Sequence, residues 1–177
     1  MLKDAGLAPA QYNEYATLAE VGIRSAADAF VDDEKLESEW QGLRFHAKPD
    51  FQEAEHEYRR FRELLGATGA TLIDLDTSDK LTIDSIYTRD SILVGPKGLI
   101  LCNMGRASRT PEPSENAASY RDLGYQIAGQ ITAPGTLEGG DFIWLDRYHA
   151  AVGLGPRTNA EGIEQLRTLL GLSLIHI

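Results

Sequence analysis

Glu138 and Asp141 stand on either side of Gly139-Gly140, immediately before the apolar run Phe142-Ile143-Trp144-Leu145. That run reads as a buried strand approached through a glycine turn. Burying two carboxylates at the mouth of a strand is costly unless each has a partner. Such acids either stay solvated in a loop or meet a cationic ligand. The arrangement recurs upstream, where Asp84 and Asp90 precede Ser91-Ile92-Leu93-Val94. An arginine follows each apolar pair of strands, Arg109 after the first and Arg157 after the second. Several carboxylates around one pocket suit a guanidinium, which is planar, permanently charged and gripped two hydrogen bonds at a time. The arginines suit a carboxylate at the ligand's other end. A free α-amino acid with a guanidine side chain meets both demands. Metal binding is the rival use of clustered acids, but the histidines show no ligand spacing, so neither a metal nor a cofactor is expected.

The same residues have plainer readings. Asp141 either anchors the hairpin through hydrogen bonds or contacts the ligand, and the sequence leaves both open. Glu138 as a solvated loop acid is the alternative to a binding role. Arg157 has Glu161 four residues on, a weak helical pair. Cys102 ends an apolar strand and reads as a small buried hydrophobe. Trp144 sits inside a strand and reads as packing. Gly139 and Gly140 need no phosphate, because no helix follows them directly.

Regular elements must position these groups. Pro49-Asp50 opens a helix, with Asp50 and Glu53 as its capping box and Phe51, Ala54, Tyr58, Phe61 and Leu65 as a buried stripe. Gly66 closes it. Residues 71–75 follow as a strand. Residues 91–94 and 99–101 pair as a hairpin around Gly95-Pro96-Lys97-Gly98. Pro111 and Pro113 open a second helix ending at Leu123-Gly124, and residues 125–131 form the next strand. The acid turn starts a second hairpin that returns through Ala150-Ala151-Val152. A third helix begins near Thr158, with Thr158 and Glu161 as a capping box, and ends at Leu169-Leu170-Gly171. Earlier, residues 40–45 read as a short strand and Asp32-Asp33-Glu34 as a solvated turn, within an acidic, mostly helical first forty residues. The unit helix, Leu-Gly, strand, acidic approach, hairpin thus recurs. Repeats of this size point to an array of ββαβ-like units, as in propellers, whose equivalent ends face a common centre.

The bulk numbers narrow the setting. The chain has 177 residues, 17 Lys and Arg against 27 Asp and Glu, and a formal charge of -10. Such a surface repels nucleic acid and anionic membranes and favours a small cationic partner. The single cysteine excludes an internal disulfide and fits a reducing compartment. The first residues lack the apolar core of a secretory signal, and no run has the length of a membrane span. A cytoplasmic protein with a small-molecule partner is expected, of unspecified oligomeric state.

Taken in order, Asp84-x5-Asp90, Arg109, Leu137-Glu138-Gly139-Gly140-Asp141 and Arg157-Thr158-Asn159-Ala160-Glu161-Gly162 resemble the guanidine-modifying (pentein) superfamily. The last segment is most similar to its dimethylarginine dimethylaminohydrolase branch. The resemblance covers residues 40–171 and implies a five-bladed α/β-propeller of ββαβ units, of which about half the ring is present. It implies an incomplete propeller domain over 40–171 with open edges where further units would pack, preceded by the N-terminal segment over 1–39 that the residue pattern reads as helical. Residues 172–177 resemble translated sequencing adaptor and read as a non-native tail. The implied activity is hydrolysis of the guanidinium of arginine or an N-ω-methylated arginine, giving citrulline and an amine. Amidinotransferase and arginine deiminase are the alternatives in the superfamily, and a non-catalytic guanidine-binding module is the alternative of another class.

Residue roles follow from the same resemblance. Glu138 matches the acid that contacts the guanidinium and assists catalysis. Asp84, Asp90 and Asp141 fall among the substrate-binding acids, and Arg109 and Arg157 match the residues that take the substrate carboxylate. The implied mechanism attacks the guanidinium carbon with a cysteine thiolate and resolves the adduct with a histidine-assisted water. Two departures stand out. Arg89 precedes Asp90 where methylarginine hydrolases often carry an acid, and no Cys or His occupies the expected catalytic position. This chain alone is therefore expected to be inactive.

Overall fold

In the computed structural model, residues 12–171 and 173–176 are described. Two compact units divide the chain: Thr17–Thr88, and the residues on either side of it. The expected helical pattern before residue 12 lies outside the described residues.

In the unit Thr17–Thr88, strand β1 (Glu20–Ile23) pairs parallel with β2 (Thr71–Asp74). Three helices lie between them in sequence: α1 (Ala26–Phe30), α2 (Asp33–Glu39) and α3 (Phe51–Ala67). The acids at 32–34 are exposed, as expected, but they open a helix rather than form a turn. Asp32 caps α2 by accepting from the Lys35 amide at 2.8 Å, and Asp33 and Glu34 occupy the first turn, where the helix dipole favours them. Residues 40–45 are not a strand either. Trp40 N–H still donates to Leu36 O, and Arg44 takes a positive φ of 64°, so the segment curls back at the end of α2. Leu43 then enters the core with Ala26, Ala29, Phe30, Leu36 and Ile83. Asp50 caps α3 as its sequence predicts, accepting from the Glu53 amide at 2.9 Å. The expected stripe is shallower than foreseen. Phe51, Ala54 and Tyr58 are half-buried against the core, whereas Phe61 is exposed.

The other unit repeats one topology twice. Strands β3 (Ile92–Gly95) and β4 (Gly98–Leu101) form an antiparallel hairpin. Helix α4 (Glu112–Asp122) follows, and β5 (Ile127–Gln130) returns parallel to β4. Strands β6 (Phe142–Trp144) and β7 (His149–Val152) form the second hairpin, α5 (Ala160–Leu170) follows, and β8 (Ser173–His176) returns parallel to β7. The expected hairpins and helices are thus present, and the order ββαβ occurs twice. One apolar core joins them: Leu93, Ile100, Cys102 and Ile131 from the first repeat meet Leu137, Phe142, Trp144, Val152, Ile163 and Leu166 from the second. Burying side chains of this size contributes about 1.5–3 kcal/mol each. Trp144 packs as expected and also donates its indole N–H to Val94 O at 3.1 Å. No helix among the described residues is long and apolar enough to cross a membrane.

Candidate functional site: the acid turns

The mouth of β6 is set before the strand begins. Leu137, fully buried, donates its amide to Asn103 O at 2.9 Å and fixes the approach. Glu138 to Asp141 then close a single helical turn, with Asp141 N–H donating to Glu138 O at 3.0 Å. The turn is bolted to the segment between β7 and α5 by Thr158. Its hydroxyl accepts from Glu138 N–H at 3.1 Å and donates to Asp141 Oδ2 at 2.6 Å. Asp141 therefore makes the anchoring contacts of its two open readings. Thr158 is not the cap of α5. Asn159 is, accepting from Gly162 N–H at 2.8 Å while the same oxygen accepts from Thr136 N–H at 3.0 Å. The Thr-x-x-Glu pattern hid this role, because Thr158 and Asn159 are both good capping residues and only one is needed.

The two acid turns meet through glycine. A side chain at Gly139 would run into the carbonyl oxygen of Arg89, and a Cβ at Gly140 would lie 2.7 Å from Asp90 Oδ1. The missing side chains let the approach to β3 touch the approach to β6. Asp90 and the Glu138 turn thus share one place, although the residues lie far apart in sequence. Gly105 does the same for the arginine loops: a Cβ there would lie 2.7 Å from the Arg157 Cα.

Each of these two acids is held by an arginine. Arg109 donates through Nη1 to Asp90 Oδ2 at 2.6 Å, and through Nε and Nη2 to the two carboxylate oxygens of Glu112 at 2.7 and 2.8 Å. Arg109 and Glu112 are both buried, so the pair is made in low dielectric. Burial works against the Arg109 charge, but the bonds to Glu112 and then Asp90 outweigh it and push its pKa above the ordinary value. Glu112 escaped the sequence reading. An acid in the first turn of a helix is usually there for the dipole, and nothing local distinguishes it. On the other side, Glu138 is buried and accepts from Nη1 of Arg157 at 3.0 and 2.8 Å. The weak pairing of Arg157 with Glu161 is not the contact formed.

Arg89, the departure beside Asp90, pairs with neither Asp90 nor Glu138. It donates to Phe142 O at 2.9 Å and to both oxygens of Glu14 at 3.3 Å. Cys102 is buried beneath the turns. Burial pushes its thiol pKa well above the usual range, the charges of Asp90 and Glu138 push it further, and a hydrogen bond from the Gly139 backbone offsets this only in part. Such a thiol stays protonated and is a poor nucleophile. No group of three or more His, Cys, Asp or Glu side chains that could hold a metal occurs among the described residues.

Asp84 lies in the other unit, buried in the turn Ile83–Ile86. That turn is held from two sides. Glu39 accepts from its first amide, Ile83 N–H, at 2.8 Å. Arg24, fully buried, donates to Ser85 O at 3.0 Å and Asp76 O at 2.7 Å.

Known proteins carry the same arrangement of elements. The chain is 32% identical over 131 residues to the N(G),N(G)-dimethylarginine dimethylaminohydrolase of Streptomyces coelicolor, covering 72% of this chain and 49% of that protein. It is 31% identical over 129 residues to an uncharacterized protein of Aeropyrum pernix, covering 72% and 47%. The chain spans about half the length of the curated relatives it matches. A solved structure of the dimethylarginine dimethylaminohydrolase of Pseudomonas aeruginosa, a mutant complexed with citrulline, superposes with a TM-score of 0.72 at 22% identity, covering 92% of this chain and 62% of that one. An amidinotransferase of Microseira wollei superposes with a TM-score of 0.71 at 20% identity, covering 94% and 61%. The mixed α/β fold is thus that of the pentein superfamily. The sequence also matches the family described as N,N dimethylarginine dimethylhydrolase, eukaryotic, over residues 32–177. That span takes in every element from α2 to β8 and both acid turns, and the chain belongs to the dimethylarginine dimethylaminohydrolase family.

Proposed function

We propose that these residues form the substrate-holding half of a hydrolase acting on the guanidinium of arginine or N-ω-methylated arginine, releasing citrulline and an amine. The observation that carries the reading is the contact of the two acid turns. Asp90 and Glu138 are brought together by glycines and each is oriented by its own arginine. Carboxylates fixed in this way are pre-organised to accept a planar fork of N–H donors. Glu138 is assigned to the guanidinium and to assistance in catalysis, with Asp90 beside it. Asp141 is assigned to anchoring the turn through Thr158. Arg157, whose side chain is 41% exposed, is assigned to the substrate carboxylate. Arg109 was expected to share that task. Its three bonds to Asp90 and Glu112 support a positioning role instead, holding Asp90 in place.

The nucleophile and the general base are assigned to residues outside this chain, in a fuller five-bladed ring of which the two ββαβ repeats would be members. The burial and raised pKa of Cys102 support that assignment. A reducing, cytoplasmic setting suits a chain whose one cysteine is a free thiol. The resemblance to an amidinotransferase fold keeps transfer to an amine as the second reading.

Binding tests the proposal without requiring turnover. In a calorimetric titration with L-arginine and with N,N-dimethyl-L-arginine, the chain is expected to bind at least one of them. Glu138→Gln, which keeps the shape but removes the charge, is expected to weaken that binding at least about tenfold, the scale of a charge-assisted bidentate contact. Equal affinity of variant and wild type would remove Glu138 from the site.

A further inference from the structure

The Arg157–Glu138 contact has the chemistry of the complex proposed for the substrate: a guanidinium on the buried carboxylate. We infer that Arg157 is an internal competitor for Glu138, and that this competition makes the site selective for ligands carrying both a guanidinium and a carboxylate. The inference rests on Glu138 being the guanidinium acceptor.

The geometry favours an exchange. Both Glu138 oxygens accept from a single nitrogen, Nη1, at 3.0 and 2.8 Å. A carboxylate and a guanidinium pair best through two parallel bonds from two nitrogens. A ligand guanidinium arriving from solvent can make that better contact. Glu138 is 8% exposed and held by its backbone through Thr158, so the acid stays while the arginine leaves. Arg157 is 41% exposed, so its head can swing into solvent without stranding a buried charge.

Selectivity follows from what Arg157 does next. A ligand with a carboxylate gives the displaced guanidinium a new anion and recovers the lost ion pair. A ligand without one breaks the pair and returns nothing. Discrimination of this kind comes from a cost charged to the wrong ligand. Arg109 cannot serve in the same way. It is buried, and it bridges Asp90 and both oxygens of Glu112, so releasing it would leave carboxylates without their cation.

The test compares L-arginine with agmatine, which has the same guanidinium and no carboxylate, on the 177-residue chain and on Arg157→Ala. Arg157→Ala is expected to bind agmatine about two- to fivefold more tightly than wild type and L-arginine more weakly, the scale of an exposed ion pair. Arg157→Gln gives the same comparison if the alanine variant fails to fold. A second readout is the NMR signal of the Arg157 side chain in the unmodified chain. Rotation about its Cζ–Nη bonds is expected to be restrained in free protein and released by methylguanidine. Agmatine affinity that is unchanged or reduced in Arg157→Ala, while wild type binds L-arginine, overturns the competition and leaves Glu138 as the acceptor. If wild type and both variants bind none of the three guanidines, the guanidinium site itself is wrong and the inference falls with it.

Discussion

At the residue scale, the acids foreseen from spacing acquire partners that spacing did not reveal. Glu112 is the clearest case. It is fully buried and takes two of the bonds that hold Arg109. Removing one member of a buried ion pair leaves the other charge poorly compensated. Glu112→Ala is therefore expected to lower stability by about 3–5 kcal/mol, measured as a shift in urea midpoint at unchanged slope. An unchanged midpoint would mean that Asp90 alone suffices for Arg109. Cys102 supports a pH prediction. Its folded pKa is raised above the usual thiol value of about 8.5, so folding favours the protonated form. The contribution is complete below that value and is lost as pH rises above it, since the unfolded chain ionises first. Stability is expected to fall above about pH 9, and Cys102→Ala is expected to flatten that fall in a pH series of melts. Slow reaction of native Cys102 with iodoacetamide at pH 8, becoming fast in urea, checks the same thiol directly.

At the element scale, the sequence was most legible where periodicity and turn residues agreed. Both hairpins, α3, α4 and α5 were readable from apolar spacing, prolines and closing glycines. Residues 40–45 were misread because an apolar cluster looks the same whether it forms a strand or the curled end of a helix. Here Leu36 O captures the Trp40 amide and decides it. The acid and arginine positions were legible as an ordered set. The Thr158 bolt was not, since it depends on Asn159 taking over the cap. The start of α5 supplies a sharp test. Gly162 lies against the Thr136 backbone, and a Cβ there would overlap the Thr136 carbonyl oxygen. Gly162→Ala removes a helix-weakening glycine, which in an open helix would stabilise. Here the overlap is expected to dominate and lower stability by about 1–3 kcal/mol. A raised melting temperature would show that the helix start moves freely away from the acid turn.

At the scale of the whole molecule, the role proposed for the acids is to hold a guanidinium in its ground state. Uniform binding of that kind gives no acceleration of the chemical step. The purified 177-residue protein is therefore expected to form no citrulline from L-arginine or N,N-dimethyl-L-arginine. Citrulline produced above the level of a Cys102→Ser control would make Cys102 the nucleophile and displace the site assignments. The glycine contact between the acid turns has a further consequence, for inheritance. Gly139 is pressed against the Arg89 carbonyl oxygen and Gly140 against the Asp90 carboxylate, so a side chain at Gly139 requires the Arg89 backbone to move. A change at Gly139 therefore calls for a matching change in the approach to β3. Descendants of this sequence that change their ligand would do so through Arg157 and its exposed surroundings, while the paired turns behave as one heritable block.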